Sequence, residues 1–534
     1  MCPIAGLMAA RHEAAYNPVC QTHTADVTCT DVTCTDVIRR HARADLYSLQ
    51  PLVMPGKDAM STALKMCLLL AFLPASLQAA EKPNIVLILA DDLGWADIGY
   101  NNPAVYSPHL DRLAETGVTF TQHYVMPQCT PTRVALMTGR YPGRFGGAAL
   151  QASNDPAFPR GTPTLASMLK QAGYRTFLAG KWHLGSHANH GPNHFGFDSS
   201  YGSLAGAVGM YDHRYRSGEF EHTWHRDHAL IEGAENGVHA SELVGREAVR
   251  VIRDTATGDF AAPFFLYLPF HSVHTPLDER GPFVDRPTQL DPRNKQRWLN
   301  ENEIRWFNDP AGKIQQESDP EKRLLLAAVH HLDDITGQIV AALDETGLRD
   351  NTLILFSSDN GPQGSWPGKA YPDDLKLTDF NQPLPFRGRK LDVWEGGIHV
   401  PGFANWPARL QPRTDAAPTH IVDWYPTLAA LVNSPAALPA CDGVNLTPLL
   451  FEQTPLPERD LYWTWNRNTN RWALRRGDWK IVKYTRQPPQ SAADWALFHL
   501  AVDPDESDNV AAQHPQMVER LHAAFLQQRR RDRQ

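Results

Sequence analysis

The sequence predicts an α/β fold in which a mainly parallel sheet is flanked by helices, with a small antiparallel sheet at the C-terminal end. Two observations lead to this prediction. Over most of the chain, continuous apolar runs alternate with segments of helical periodicity, which is typical of strands covered on both faces in a parallel sheet. After about residue 458 the pattern changes to short aromatic-rich segments joined by tight turns, which indicates hairpins.

The first part of the chain is interpreted as preceding the folded protein. Residues 1–59 contain the repeat TCTDVTCTDV without a periodic apolar segment, so we interpret them as a misassigned or disordered extension. Residues 60–79, with Lys65 before a short apolar run and the small-residue site SLQA, are typical of a signal peptide. We expect cleavage near Ala79. We divide the rest into a catalytic domain, 80–457, and a C-terminal sheet with a closing helix, 458–534.

Composition limits the cellular locations and the binding partners that are expected for this protein. A net charge of -8 argues against binding to nucleic acid or to an anionic membrane. The apolar run of the leader is too short to span a bilayer, so we expect no membrane attachment after cleavage. Beyond the leader only Cys129 and Cys441 remain, which excludes a disulfide framework. With a single glycosylation sequon at Asn445, this favours a bacterial periplasm or an extracellular location.

Polar side chains directly follow four of the apolar runs. The stretches NIVLILADD, RTFLAGKWHLG, PFFLYLPFHSVH and TLILFSSDNG each begin with an apolar run, which is followed, in turn, by Asp91 and Asp92, Lys181 and His183, His271 and His274, and Asp359 and Asn360. Because the carboxyl ends of parallel strands meet at one edge of a sheet, we expect these groups to form a site there. An isolated aspartate after a strand is more often a helix cap. The pair Asp333–Asp334 lies in a helical segment and is interpreted as ordinary.

The donor atoms predict the kind of metal. Asp91, Asp92, Asp359 and Asn360 offer oxygen ligands, and no cysteine–histidine cluster with zinc spacing accompanies them. Oxygen ligation favours Ca²⁺ or Mg²⁺ over Zn²⁺.

The stretch CTPTR predicts a nucleophile at a helix N-terminus. A helix with proline in its first turn places Cys129 where backbone N–H groups favour anions. Arg133 follows one turn later and is expected to reach back toward Cys129. A plain thiolate is conceivable there, but it matches a hard divalent cation poorly.

These motifs resemble the type I sulfatases. CTPTR is similar to the family signature Cys-x-Pro-x-Arg, and ADDLG, GRYP, GKWHLG, SDNG and RGRKLDVWEGG resemble further family blocks in the expected order. The resemblance extends from Lys82 to about Leu521 and looks closest to the arylsulfatase B group, the N-acetylgalactosamine-4-sulfatases. It implies an alkaline-phosphatase-like fold. Thr132 stands where serine is commoner, and it keeps the hydroxyl.

The resemblance also implies a cofactor set. Cys129 would be oxidised to formylglycine by a formylglycine-generating enzyme, and the hydrated aldehyde would attack sulfur. The ligands of Ca²⁺ would be Asp91, Asp92, Asp359, Asn360 and the modified Cys129.

The remaining roles are likewise implied by the resemblance. Arg133 and Lys181 would stabilise the ionised diol, and Lys181 and Lys390 would bind sulfate oxygens. His274 would protonate the leaving alcohol, and His183 would take the proton whose loss expels sulfate. His271 is either a wall of the site or a structural residue.

The expected substrate is a sulfated saccharide. Three loops rich in His, Arg, Tyr and Trp suit a polar ring better than a steroid: HANHGPNHFGFD, YDHRYRSGEFEHTWHRDH and SWPGKAYPDD, which contains Trp366. The resemblance points to O-sulfated galactose or N-acetylgalactosamine units of a polysaccharide that is being degraded, with the 4-position as a narrower expectation. Two alternatives remain open: a phosphomonoesterase or phosphonate hydrolase of the same superfamily, and a catalytically inactive sulfated-glycan-binding protein.

Overall fold

The computed structural model describes residues 82–532, apart from 216–217, 234, 259–261, 278–311, 319, 364–384, 436–438, 466–470 and 486. The predicted leader and the loop that contains Trp366 lie outside the described residues. Within them, no helix combines the length and the apolar character that a membrane span needs.

The strands of the described residues form three sheets. In chain order they are β1 (Asn84–Ala90), β2 (Val118–Phe120), β3 (His123–Tyr124), β4 (Arg175–Lys181), β5 (Ser199–Ser203), β6 (Trp224–Arg226), β7 (Ala229–Leu230), β8 (Phe264–Pro269), β9 (Thr352–Ser358), β10 (His399–Val400), β11 (Gly402–Asn405), β12 (Arg413–Asp415), β13 (Thr419–His420), β14 (Asp460–Trp465), β15 (Arg471–Arg476), β16 (Trp479–Tyr484) and β17 (Ala496–His499).

The main sheet has the order β12-β2-β11-β9-β1-β8-β4-β5-β6-β7 among the described residues. Its centre, from β9 to β5, is parallel throughout, and the four runs with polar ends are neighbours in it. Alternate residues of β1 enter two separate cores, Ile85 and Leu87 on one face and Val86 and Ile88 on the other. Burial on both faces explains the continuous apolar runs and confirms the predicted fold class.

Helices cover both faces of this sheet. In chain order, the α-helices of the described residues are α1 (Pro108–Glu115), α2 (Cys129–Thr138), α3 (Leu165–Gln171), α4 (Ala240–Thr257), α5 (Lys313–Gln316), α6 (Pro320–Glu345), α7 (Glu395–Ile398), α8 (Trp424–Leu431), α9 (Thr447–Glu452) and α10 (Pro515–Arg529). Apolar residues of α2 and α3 belong to one core, and those of α4 and α6 to the other. Asp333 lies within α6, as predicted.

The C-terminal sheet is antiparallel, with the order β14-β15-β16-β17. A two-residue turn joins β15 to β16, and Gly477 in that turn has a left-handed φ of 56°. The stretch RGD, residues 476–478, runs from the end of β15 through this turn. Phe525 of α10 packs edge-on against Trp472 with ring centroids 5.7 Å apart, so the helix closes one face of the sheet.

Candidate active site

The turn after β1 brings two buried carboxylates to the carboxyl edge of the main sheet. Asp91 is held by its backbone N–H, which donates to Ser272 O at 2.9 Å. Asp92 has a left-handed φ of 65°, so the chain reverses direction immediately after the strand. Such a conformation is uncommon in residues other than glycine and is concentrated at functional sites.

The turn after β9 brings the second polar pair to the same place. Because Ala90 lies opposite Ser358 in the parallel register, the residues that follow the two strands are neighbours. The Asp92 backbone N–H donates to Asp359 Oδ1 at 3.2 Å, and Asn360 Nδ2 donates to Asp92 Oδ1 at 2.7 Å. The grouping expected from the sequence is therefore present.

Two oxygen atoms of this group have no hydrogen-bond partner among the residues that the structure describes. Asp91 Oδ1 and Asn360 Oδ1 are both fully buried and unpaired, although buried polar atoms nearly always have a partner. A cation bound between them would satisfy both atoms, and carboxylate and amide oxygens are ligands of Ca²⁺ and Mg²⁺. A second arrangement shares two of the aspartates: ligand atoms of Asp91, Asp92 and His274 lie within 4.8 Å of one another.

Cys129 is the first residue of α2, as predicted. The preceding residue, Gln128, does not cap the helix with its side chain, so the first-turn N–H groups remain available to an anion at Cys129. The Thr132 hydroxyl fixes the segment that leads into α2, since it accepts from Met126 N at 3.0 Å and donates to Met126 O at 3.1 Å.

The environment of Cys129 disfavours a plain thiolate. Burial raises the pKa of the Cys129 thiol above its usual range, although Lys181 and Lys390 act in the opposite direction. The unmodified side chain is therefore a protonated thiol at neutral pH, which is a poor nucleophile.

Arg133 braces the ends of two strands. Its Nε and Nη2 donate to Asp359 Oδ2 at 3.2 and 2.8 Å, and its Nη1 donates to the Lys181 carbonyl at 2.7 Å. We expected this side chain to reach back toward Cys129. Its hydrogen bonds instead go to β4 and to the residue after β9, because the buried carboxylate is the stronger acceptor.

The two lysines each neutralise one aspartate. Lys181 Nζ contacts Asp91 Oδ2, and Lys390 Nζ lies 2.7 Å from Asp92 Oδ1. Burial opposes the charge of Lys390, but Asp92 together with the other acidic groups around it outweighs burial, and the pKa of the Lys390 amine is raised.

The buried charges of the site are balanced. Three carboxylates, of Asp91, Asp92 and Asp359, lie among three cations, of Arg133, Lys181 and Lys390. A divalent cation bound here would leave an excess of positive charge in a low-dielectric pocket, where attraction to an anion is strong.

Two histidines of the site are neutral in this environment. Burial, together with the charge of Lys181, lowers the pKa of His183 well below its usual value. Burial and Lys390 lower the pKa of His274 to about 3, while Asp92 opposes them. His274 Nδ1 donates to Thr275 O at 2.6 Å, which leaves Nε2, 3.8 Å from Asp92 Oδ2, as the nitrogen that exchanges a proton.

A protein-family model described as Sulfatase matches residues 83–434, a range that includes every site residue described above. The chain belongs to the sulfatase family. It is therefore a sulfuric ester hydrolase, as the motifs indicated.

Individual relatives extend the match over most of the chain. Human steryl-sulfatase is 32% identical over 439 residues, covering 72% of this chain and 72% of the relative. The N-acetylgalactosamine-6-O-sulfatase of Bacteroides thetaiotaomicron is 27% identical over 511 residues, covering 83% and 92%. The crystal structure of Ps i-CgsB in complex with k-i-k-neocarrahexaose is 27% identical with a TM-score of 0.69, covering 85% and 94%.

Two further contacts lie near this sulfatase site. His271 is buried, and its Nε2 lies 3.1 Å from Ser203 Oγ at the end of β5. Gln128 Oε1 accepts from Trp465 Nε1 at 2.8 Å and thereby links the start of α2 to the C-terminal sheet. Sequence reasoning missed Ser203 and Trp465, because nothing in their local patterns distinguishes them from ordinary strand residues.

Proposed function

We propose that this sulfatase hydrolyses O-sulfated galactose or N-acetylgalactosamine units of a sulfated polysaccharide or its oligosaccharides, with Ca²⁺ and a formylglycine derived from Cys129. The observation that carries the catalytic part is the pair of unpaired buried oxygens, Asp91 Oδ1 and Asn360 Oδ1, beside balanced charges at a helix N-terminus.

The proposed ligands of Ca²⁺ are Asp91, Asp92, Asp359, Asn360 and the modified Cys129. An all-oxygen set is preferred over the arrangement with His274, because the atoms that lack partners are oxygens and because Ca²⁺ prefers oxygen ligands. When bound, the ion would act as a Lewis acid at a sulfate oxygen and at the nucleophile.

Oxidation of Cys129 to formylglycine would replace a thiol of raised pKa by a hydrated aldehyde, which supplies an oxygen nucleophile. The first-turn N–H groups of α2, which no N-cap side chain engages, then favour negative charge at that position. Lys181 and Lys390 orient the sulfate group and offset the charge that builds up in transfer. Arg133 donates to Asp359 and to the end of β4. It thereby fixes the position of Asp359 relative to Lys181, and it adds positive charge beside the nucleophile.

Proton transfers are assigned to the two histidines. His274 would donate from Nε2 to the leaving alcohol, while its Nδ1–H stays on Thr275 O. An anionic ester beside His274 raises the pKa of the imidazole from its low value in the free site and favours protonation. The buried His183 Nδ1 has no hydrogen-bond partner, and neutral His183 would accept the proton released when sulfate leaves.

The saccharide substrate is supported by the surface and by the relatives. Among the described residues, the large hydrophobic side chains that are clearly exposed are Leu230, Tyr484 and Val502. This part of the surface therefore offers little apolar area for binding a steroid. The names of the Bacteroides relative and of the carrageenan-bound structure refer to galactose-type sugars. The steryl-sulfatase relative makes a steroid sulfate a necessary control.

The decisive experiment measures sulfate release by the purified, modified enzyme. An aryl sulfate, an aryl phosphate and defined 4-O- and 6-O-sulfated galactose and N-acetylgalactosamine oligosaccharides are compared with N-sulfated glucosamine and a steroid sulfate. We expect the galactose-type saccharides to exceed the glucosamine and steroid substrates. Preference for the aryl phosphate would favour the phosphatase alternative, and binding of the saccharides without turnover would favour an inactive glycan-binding protein.

A further inference from the structure

Lys390 is presented to the site by a loop, residues 387–397, which we call the Lys390 loop. Two backbone bonds hold its tip: Lys390 N donates to Pro362 O at 3.0 Å, and Leu391 N donates to Pro127 O at 2.7 Å. Leu391 has a left-handed φ of 78°, a conformation that a leucine keeps only when its surroundings impose it. The position of the Lys390 amine therefore depends on what holds this turn.

Two residues of the C-terminal sheet hold the turn from outside. Arg471, the first residue of β15, contacts both the Asp392 carboxylate and the Leu391 carbonyl through Nη1. Tyr484, the last residue of β16, donates to Asp392 Oδ1 at 3.1 Å and accepts from Val393 N at 3.2 Å. Arg471 and Tyr484 are opposite each other in the sheet, so they act on the turn together.

The far end of the Lys390 loop is held by buried charges. Lys480 of β16 lies 2.8 Å from Glu395 Oε1 and 2.9 Å from Glu506 Oε1, and Glu506 Oε2 accepts from Glu395 N at 2.6 Å. The Trp394 ring stacks on the Tyr484 ring with a centroid distance of 5.4 Å. The loop is thus attached to the C-terminal sheet both at the turn and at its far end.

We propose that Arg471 and Tyr484 are positioning residues that set the place of the Lys390 amine, which makes the C-terminal sheet part of the catalytic apparatus. This proposal rests on the proposed function, in which Lys390 binds the sulfate group. Asp392 carries the effect, because its other oxygen accepts from Arg389 N at 3.1 Å and closes the turn around Lys390. Without its two partners on the sheet, the turn can relax and the amine can leave its place beside Asp92.

A double-mutant cycle tests this coupling. Arg471→Ala and Tyr484→Phe are measured alone and in the Lys390→Ala background, with an aryl sulfate as substrate. A displacement of about 1 Å in a catalytic group can cost roughly a hundredfold, so we expect Arg471→Ala to lower kcat/KM by ~10–100-fold. Loss of the Tyr484 hydroxyl should cost about fivefold. In the Lys390→Ala background each change should fall to within about twofold, because the group being positioned is absent.

The same sheet supplies matched controls. Arg476, at the other end of β15, pairs with Asp460 at 2.6 Å, and the Tyr462 hydroxyl donates to Asp532 at 2.7 Å. Arg476→Ala and Tyr462→Phe remove equivalent contacts away from the Lys390 loop and should change kcat/KM by less than about twofold.

Binding of inorganic sulfate to the Ca²⁺-loaded protein, measured by calorimetry, repeats the cycle without turnover. An enzyme that binds sulfate with the expected coupling but releases none from esters would refute the proposed function and leave the positioning role standing. Equal losses with and without Lys390, or equal losses in the controls, would overturn the positioning role. If Arg471→Ala does not fold, the Tyr484→Phe cycle decides.

Discussion

Replacement of Asp359 by asparagine removes one negative charge from the proposed metal site and keeps the shape of the side chain. Asp359 is fully buried and receives two hydrogen bonds from Arg133, at 3.2 and 2.8 Å, and one from the Asp92 backbone, at 3.2 Å. An amide keeps the shape of the side chain but offers one acceptor oxygen in place of two, so it loses the negative charge and one of the two acceptors that Arg133 and the Asp92 backbone use.

The size of the loss follows from these contacts. Removing one partner of a buried ion pair costs about 3–5 kcal/mol. Arg133 Nη2 also lies 3.8 Å from Asp91 Oδ2, so in the variant Arg133 still has one carboxylate partner. We therefore use the lower end of this range, about 3 kcal/mol. A cation in direct contact with Asp359 should lose at least this much binding free energy when the carboxylate is replaced. Three kcal/mol corresponds to a roughly hundredfold weaker affinity for Ca²⁺.

The assay is a Ca²⁺ titration with two readouts, sulfate release from an aryl sulfate and the midpoint of thermal unfolding. We expect the Ca²⁺ concentration needed for half-maximal activity to rise about a hundredfold in Asp359→Asn, and stabilisation by Ca²⁺ to shift by the same factor. Zn²⁺ should substitute poorly for Ca²⁺. A variant with the wild-type Ca²⁺ requirement would refute this ligand assignment.

Asp333→Asn is the matched control for this experiment. Asp333 is also buried, and it accepts from Leu110 N at 2.7 Å. Burial raises its pKa to about 8, so the folded protein holds it mostly neutral at pH 7 and an amide replaces it with little change. We expect wild-type activity and an unchanged Ca²⁺ requirement.

Three further predictions concern maturation, the entry to α2 and export. In active enzyme, mass spectrometry should find an aldehyde in place of the thiol at Cys129, and Cys129→Ala should abolish turnover without changing the unfolding midpoint; unmodified cysteine in fully active protein would exclude the mechanism. Thr132→Val leaves the Met126 N–H and carbonyl unpaired and should cost about 1–3 kcal/mol in denaturant unfolding, whereas Thr132→Ser should cost less than half of that. A chain started at Met60 should be secreted and cleaved near Ala79, and residues preceding Met60 in the N-terminal sequence of the mature protein would contradict this.

The main sheet and the grouping of the site were predictable because both follow from local rules. A continuous apolar run in an alternating pattern indicates a parallel strand buried on both faces, and parallel strands deliver the residues after them to one edge. This rule alone brings Asp91 and Asp359 together across a separation of 268 positions in the numbering. The same rule distinguishes these two site residues from Asp333, because Asp333 and Asp334 lie in the interior of a helix and do not follow a strand.

The partners of the cationic side chains could not be predicted in the same way. Arg133 was expected near Cys129, since that is one turn away on the same helix, but its hydrogen bonds depend on which strands lie beside α2. The contacts of Arg471 and Tyr484 with the Lys390 loop depend on how the C-terminal sheet packs against the catalytic part. The residue pattern of the C-terminal strands and that of the Lys390 loop give no indication of this packing. Backbone conformations are a similar case, since nothing in the sequence indicates the left-handed Asp92 or Leu391.

The charge pattern explains why the proposed reaction needs both a cation and an anionic ester in the same pocket. Each carboxylate is already neutralised by Arg133, Lys181 or Lys390, so the protein folds without a large buried net charge, which would be costly. A divalent cation bound at the unpaired oxygens would leave the pocket with two positive charges in excess. A sulfate ester carries one negative charge and would offset half of that excess, whereas a neutral sugar would offset none of it. Selectivity for the sulfated form thus arises at the buried centre, and the loops beyond it need only distinguish one leaving alcohol from another.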